Sequence, residues 1–291
     1  MSAVASEMKI GAIVPWFGSK RTLAPAIVRE LGKHRAYWEP FCGSMAVLLS
    51  KPESGHETVN DLHGDLINLS RVVQHAAHGP KLYRRLRRVA MDERLRDELL
   101  KLPASRDPVE QAFRYFIVSW FGRNGFCGTT GCDKSSFAVR WTPGGGHGGQ
   151  RFASAVESIP HWRRRLRRVT ILNRDGFGII EKIDDAPGIV VYVDPPYFEK
   201  DAEYVHDFTR CDGGMFGDDH QRLAQLLGRF KKTRVVVSYY QHEMILSLYP
   251  KWTIVEHTMT KGIHNAGKRG SDVREAREVL IINGPSLAGA A

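Results

Sequence analysis

No apolar run in this chain is long enough to cross a bilayer. The best candidate near the amino terminus is Ile10-Gly-Ala-Ile-Val14, against the roughly 20 residues that a spanning helix needs. No basic segment followed by an apolar stretch marks a secretory signal, so no membrane association is expected and the cytoplasm is the expected location. Cysteine is scarce as well. Four residues at irregular positions, Cys42, Cys127, Cys132 and Cys211, do not form a disulfide framework in a chain of this size and are read as free thiols. Cys127 and Cys132 with His147 and His161 make a poor zinc set, because the cysteine spacing is loose and the histidines are far apart, and no metal is expected. The 12 histidines contain no His-Glu-x-x-His pattern and no nucleophile-base arrangement.

Acids are scarce in one region. Between Ser70 and Arg168 there are 20 Lys and Arg against 8 Asp and Glu, a local charge of +12, while the rest of the chain has 22 against 24. The whole excess of +10 therefore sits in the middle third. Within it, Tyr83-Arg-Arg-Leu-Arg-Arg88 and Arg163-Arg-Arg-Leu-Arg-Arg168 place arginines around a leucine at helical spacing. One stripe can pack inward while Arg84, Arg85, Arg88, Arg164 and Arg168 face a polyanion, the usual electrostatic footprint of nucleic-acid binding. The alternative is a pair of solvated helices whose arginines pair with nearby carboxylates.

What is present fits a soluble enzyme of 291 residues, 42% of them hydrophobic, enough for one large core or a core with an insert. Residues 36–69 and 169–283 alternate short apolar runs with helical stretches: Tyr37-Trp-Glu39, Val169–Leu172, Ile189–Val193, Arg234–Ser238, Thr253–Val255 and Val279–Ile282. That is the α/β pattern of a largely parallel sheet. The segment between reads as helical over Ala90–Leu102 and Val109–Trp120. It then becomes glycine-rich from Gly122 to Gly149 and is expected to be a loop beside the basic surface. The expected organisation is a catalytic domain of residues 1–69 and 169–291 with a basic recognition domain of residues 70–168 inserted.

The strongest local signal is Asp194-Pro-Pro-Tyr197. The apolar run Gly188–Val193 reads as a buried parallel strand, and Pro195 and Pro196 stop it, leaving an acid and an aromatic ring where open α/β sheets carry their chemistry. Such a corner suits a flat, amino-bearing heterocycle: the acid and a peptide carbonyl accept N–H bonds while the ring stacks. Nearer the amino terminus, Tyr37–Val47 places an acid and a small-residue turn between a strand and a helix. Asp61 follows Gly43 by 18 residues, close to the spacing at which an acid reaches a ribose. The other glycines of the dinucleotide fingerprint are missing, which argues against NAD and ATP and leaves room for an adenosine cofactor without a pyrophosphate.

These segments together resemble the adenine-N6 DNA methyltransferases of the Dam-like, D12 class. The resemblance rests on Trp16-Phe-Gly-Ser-Lys20, Glu39-Pro-Phe-Cys-Gly43, Asn60-Asp61 with Asp65-Leu-Ile-Asn68, Asp194-Pro-Pro-Tyr197 and Glu278-Val-Leu-Ile-Ile-Asn283, in the α-group order with a recognition insert before the catalytic motif. It implies a Rossmann-like, S-adenosylmethionine-dependent methyltransferase sheet with a mostly helical target-recognition domain. It further implies double-stranded DNA as partner, action as a monomer or weak dimer, and compatibility with a cognate restriction endonuclease.

By the same resemblance Trp16, Gly18, Lys20, Glu39, Pro40, Phe41 and Gly43 belong to the cofactor site, with Gly43 on the methionine side and Lys20 near the carboxylate or the DNA. Asp61 takes the ribose, and Asp175-Gly-Phe177 the adenine. Asp194, Pro195, Pro196 and Tyr197 form the catalytic corner. Arg123 and Asn124, in Phe121-Gly-Arg-Asn-Gly125, resemble a loop entering the DNA, and Lys261 and Lys268 lie in a short basic segment suited to phosphate contact. One departure is plain: the usual Phe-x-Gly-x-Gly turn reads Phe41-Cys-Gly-Ser-Met45. Cytosine N4, an RNA amine, or a catalytically silent relative are the alternatives that the motifs leave open.

Overall fold

The computed structural model describes residues 11–122, 136–139, 147–197, 218–260 and 275–288. In chain order the elements are α1 (Ala24–Leu31), β1 (Ala36–Glu39), α2 (Ala46–Ser50), β2 (His56–Asn60), α3 (Gly64–Gln74), α4 (His78–Leu86), α5 (Glu93–Lys101), α6 (Pro108–Phe121), α7 (Gly148–Leu166), β3 (Val169–Leu172), α8 (Gly176–Ile180), β4 (Ile189–Val193), α9 (Asp218–Leu227), β5 (Arg234–Tyr240), α10 (Glu243–Ser247), β6 (Thr253–Thr260) and β7 (Glu275–Ile282). Each strand anticipated from the apolar runs is found. The helical stretches at Ala90–Leu102 and Val109–Trp120 appear as α5 and α6, started by Asp92 and Asp107, whose side chains accept from Arg94 N and Val109 N at 2.9 Å. The anticipated loop ends early, because His147 caps α7 and its Nδ1 accepts from Gly149 N at 3.1 Å.

The chain divides into two compact units. One comprises Leu23–Cys42, Ser54–Leu62 and Arg174–Ala291. Six strands of the sheet lie in it, in the order β2-β1-β4-β5-β7-β6. β2, β1, β4 and β5 run parallel, and β7 and β6 close the sheet antiparallel. The run Ile189–Val193 is β-branched and apolar because β4 is central and covered on both faces. On one face Val191, Val193, Val235 and Val237 pack with Phe177, Ile180, Leu223 and Leu227. On the other, α1 lies over β4 and β5. There Arg234 reaches Glu30 through the Glu30 backbone carbonyl and, at 3.1 Å, through its carboxylate. The chain leaves β1 toward β2 on one side and returns through β4 on the other, so the carboxyl ends of β1 and β4 form the crevice where such sheets bind ligands.

The other unit comprises Met1–Thr22, Gly43–Glu53 and His63–Asn173. All helices of the anticipated recognition segment fall in it, together with stretches from the amino-terminal third. α3, α4, α6 and α7 pack around Phe116, Phe121, Phe152 and Trp162, with Phe121 and Phe152 ring centroids 4.9 Å apart. α4 and α7 run antiparallel. A Cβ on Gly79 would stand 3.1 Å from Arg163 Cδ, while Tyr83, one turn on, donates to Glu157 at 2.7 Å.

Candidate active site

Asp194, Pro195, Pro196 and Tyr197 leave the carboxyl end of β4 as expected. Asp194 is half-buried, and its Oδ1 accepts from the Ser238 hydroxyl at 2.8 Å. Ser238 lies 2.9 Å from the Tyr192 hydroxyl. The Tyr197 ring is only 4% exposed; it meets Tyr240 edge-on with centroids 4.6 Å apart and Tyr239 at 5.6 Å. Tyr239 in turn bonds His220 Nδ1 at 2.9 Å. Burial, and then the charges of Asp194 and Glu278, hold the Tyr197 phenol well above its ordinary range.

At the ends of β1 and β2 a single residue organises the crevice. The backbone carbonyl of Asn60 accepts from Cys42 N at 2.8 Å. Its side-chain amide donates to the carbonyls of Pro40 and Arg174, and its Oδ1 accepts from Arg174 N, all at 2.9 Å. Three turns, carrying Pro40 and Phe41, Asp61, and Asp175, are thereby fixed to one another. Glu39 is buried, Asp61 half-buried, and both charges act on Cys42. Burial first, then Asp61 and Glu39, push the Cys42 thiol well up, so it is an inert neutral group at the corner rather than a nucleophile.

Phe41 and Phe177 meet edge to face at 6.4 Å, and a Cβ on Gly176 would stand 2.6 Å from the Phe41 ring. Arg222 lies over the Phe177 ring at 4.4 Å. Asp175 caps α8, accepting from Gly178 N at 3.0 Å. Asp175 thus acts as a turn residue that starts this helix. Local patterns do not single out Asn60 as the organiser, nor Ser238, nor Arg222; the signal available for Ser238 is a lone hydroxyl ending a run of three valines.

In the other unit, Gly43 has φ 42° and a Cβ there would stand 2.9 Å from Trp16 Nε1, so two independent constraints require glycine. Trp16 meets His63 edge-on at 5.5 Å, and Ser44 Oγ lies 3.0 Å from Ser19 Oγ. Lys20 is buried and donates to the Gly18 carbonyl at 2.6 Å. Met45, where the family turn carries its second glycine, is fully buried with φ 59°.

The arginine clusters divide. Arg84, Arg88, Arg164 and Arg168 are exposed and form no ion pair among the described residues. Arg85, expected on the DNA-facing side, instead pairs with Glu110 at 2.7 Å and covers the Phe113 ring at 4.0 Å. Arg165 donates to the Leu48 carbonyl at 2.9 Å, and Arg163 reaches the Ala76 carbonyl. Leucines fix the inward side of each helix, and the arginines beside them are drawn into capping and pairing. Arg123, Asn124, Lys261, Lys268, Cys127, Cys132 and Cys211 lie outside the described residues. Among the described residues no group of His, Cys, Asp and Glu could hold a metal ion, and no helix is long and apolar enough to cross a membrane.

A mostly parallel sheet with an acid-Pro-Pro-Tyr corner beside its switch point defines a Rossmann-like α/β fold with its candidate site at the carboxyl ends of the strands. Residues 16–263 match the family model of the D12 class N6 adenine-specific DNA methyltransferases. The chain belongs to that family, and its reaction is adenine-specific DNA methylation. It is similar to the DNA adenine methylase of Escherichia coli (strain K12), with 25% identity over 245 residues, 81% of this chain and 82% of that one. It is also similar to that of Salmonella typhi, 23% identical over 284 residues and covering 95% and 96% of the two chains. That of Vibrio cholerae serotype O1 (strain ATCC 39541 / Classical Ogawa 395 / O395) is 25% identical over 293 residues, covering 96% and 98%.

Proposed function

We propose that Asp194 and the Pro195 carbonyl accept the two N–H bonds of a target adenine, and that the ordered turns around Asn60 hold S-adenosylmethionine. The observation that carries this reading is the placement of Asp194 at the end of β4, one strand from Glu39, at the point where the strand order reverses. The cradle fits an adenosine sulfonium: Asp61 is an acid suited to ribose hydroxyls, and Phe41 and Phe177 offer ring faces and edges to a purine. Trp16, Gly18, Lys20, Glu39, Pro40 and Asp175 complete the residues assigned to it from the motifs. When bound, that cofactor supplies an electrophilic methyl group.

Adenine's amino lone pair is delocalised into its ring and attacks poorly. Two acceptors localise it as the nitrogen pyramidalises, and they bind the transition state more strongly than the ground state. With S-adenosylmethionine held by the turns around Asn60 and supplying the methyl group, Asp194 and the Pro195 carbonyl would hold the amino nitrogen in line with it, and Asp194 would take the surplus amino proton or pass it to solvent. No covalent enzyme intermediate is required, in keeping with the suppressed Cys42 thiol. An adenine within a duplex is out of reach, so the base is flipped into the corner.

Arg84, Arg88, Arg164 and Arg168 take backbone phosphates, with Arg123, Asn124, Lys261 and Lys268 assigned to DNA from the motifs alone. Labelled methyl transfer onto random-sequence duplex DNA, with nucleoside analysis and mapping of the product, tests this reading. N6-methyladenine at one sequence context is expected; label confined to cytosine, or no label on duplex DNA beside label on a single-stranded RNA run in parallel, would overturn it.

A further inference from the structure

We propose that Ser238 is a positioning residue for methyl transfer, the central member of a buried hydroxyl relay, Tyr192 to Ser238 to Asp194, that sets the direction in which the Asp194 carboxylate faces its substrate. The inference rests on the reading of Asp194 as the acceptor of the target amine.

The relay has one possible polarity. An ionised carboxylate only accepts, so the single hydroxyl hydrogen of Ser238 is committed to Asp194 Oδ1, at 2.8 Å. The Tyr192 hydroxyl, 2.9 Å from the same Ser238 oxygen, must then be the donor in that contact. Burial first, and then the Asp194 charge, keep the Tyr192 phenol protonated by raising it well above its ordinary range. Ser238 and Tyr192 are 0% and 1% exposed, so both lie away from bulk solvent.

The sheet explains why these groups meet. β4 and β5 are parallel with Val193 paired to Val237, and one step further brings Asp194 beside Ser238 on the face shared by Tyr192 and Val236. In a strand that otherwise reads Val235-Val236-Val237, a buried hydroxyl costs stability unless it is bonded. Here it is bonded to the acid at the corner. A carboxylate held from a rigid strand loses its freedom to turn, and acceptors fixed before reaction need no reorganisation as charge develops.

The test is single-turnover methyl transfer to duplex DNA by the full chain carrying Ser238→Ala, Tyr192→Phe, Asp194→Asn, or each relay change combined with Asp194→Asn. Cofactor affinity is measured by calorimetry on the same proteins. Ser238→Ala is expected to slow transfer by about tenfold to hundredfold, the range for outer partners that orient a reacting ligand. Cofactor and DNA affinities should stay within about twofold, and neither relay change should slow Asp194→Asn further, as non-additivity demands of groups acting through one another.

Transfer at the unsubstituted rate by Ser238→Ala would overturn the relay while leaving Asp194 its role. Equal slowing in both backgrounds would also overturn it, making Ser238 structural. Full activity in Asp194→Asn would instead remove the underlying reading of Asp194. If Ser238→Ala does not fold, the near-isosteric Tyr192→Phe decides by the same comparison, with a severalfold slowing that vanishes in the Asp194→Asn background expected.

Discussion

Asn60 and Arg174 stand 114 residues apart in sequence and exchange two hydrogen bonds, Asn60 Nδ2 to the Arg174 carbonyl and Arg174 N to Asn60 Oδ1, each 2.9 Å. With the further bond to Pro40, one side-chain amide uses both donors and its acceptor on the backbone of two neighbouring turns. Asn60→Asp keeps the shape but cannot donate, and sets an acid against two carbonyls. Both Asn60→Asp and Asn60→Ala should destabilise the fold by about 1 to 3 kcal/mol and weaken cofactor binding. Denaturant unfolding and calorimetry check this; unchanged affinity with lowered stability would detach the turns from the cofactor.

Asp194→Ala should lower turnover by about two to three orders of magnitude, the cost of removing one well-placed transition-state acceptor, with cofactor affinity retained. Steady-state kinetics beside a binding isotherm separate the two. Loss of both together would move Asp194 from the target amine to the cofactor cradle.

The altered glycine turn makes opposite demands at two positions. Gly43→Ala adds a Cβ 2.9 Å from Trp16 Nε1 at φ 42°, so it should impair both stability and cofactor binding. Met45→Gly relieves a left-handed backbone worth about 1 to 2 kcal/mol, but it empties a fully buried site, and truncating a buried methionine costs about 2 to 5 kcal/mol. The second term is larger at the middle of both ranges, so a net loss of about 2 kcal/mol is expected. A rise in melting temperature would show that the methionine side chain contributes little packing.

The arginines should separate by partner. Neutralising Arg84, Arg88, Arg164 and Arg168 should leave stability unchanged and lower the slope of log DNA affinity against log salt by about 0.9 for each phosphate left without its arginine. Arg85→Ala, which strips Glu110 of one partner and uncovers Phe113, should lower the melting temperature with little change in slope. An unchanged slope in the fourfold variant would place the DNA surface elsewhere.

Stability should fall in acid partly through Glu30. Burial raises its pKa, but hydrogen bonds from Ser286, Leu287 and Ala288 and the charge of Arg234 outweigh it, and the net shift is downward. A carboxylate with a depressed folded pKa contributes stability above its unfolded value, about 4.3. That contribution is lost as pH falls through the folded value. Glu30→Gln should therefore be less stable than the unsubstituted protein at neutral pH and show a flatter decline below about pH 4.3. Parallel pH profiles for the two proteins would exclude Glu30 as a contributor.

Sequence alone determined the strands and the identity of the corner, because a valine-rich run stopped by two prolines has little freedom to be anything but a buried strand and its end. It also located the excess positive charge, which is a property of composition. Pairing was decided by the tertiary structure. Nothing local distinguishes Arg85 from Arg84: both flank the same leucine, and only the packing of α4 against α6 puts Glu110 beside the first and leaves the second exposed. Met45 likewise reads as a departure from a glycine turn, and only the folded chain shows its side chain filling the interior at a positive φ. Asn60 and Ser238 are ordinary polar residues at strand ends. Their hydrogen bonds reach partners 114 and 44 residues away, brought close by the order of the strands in the sheet, and no local pattern encodes that order.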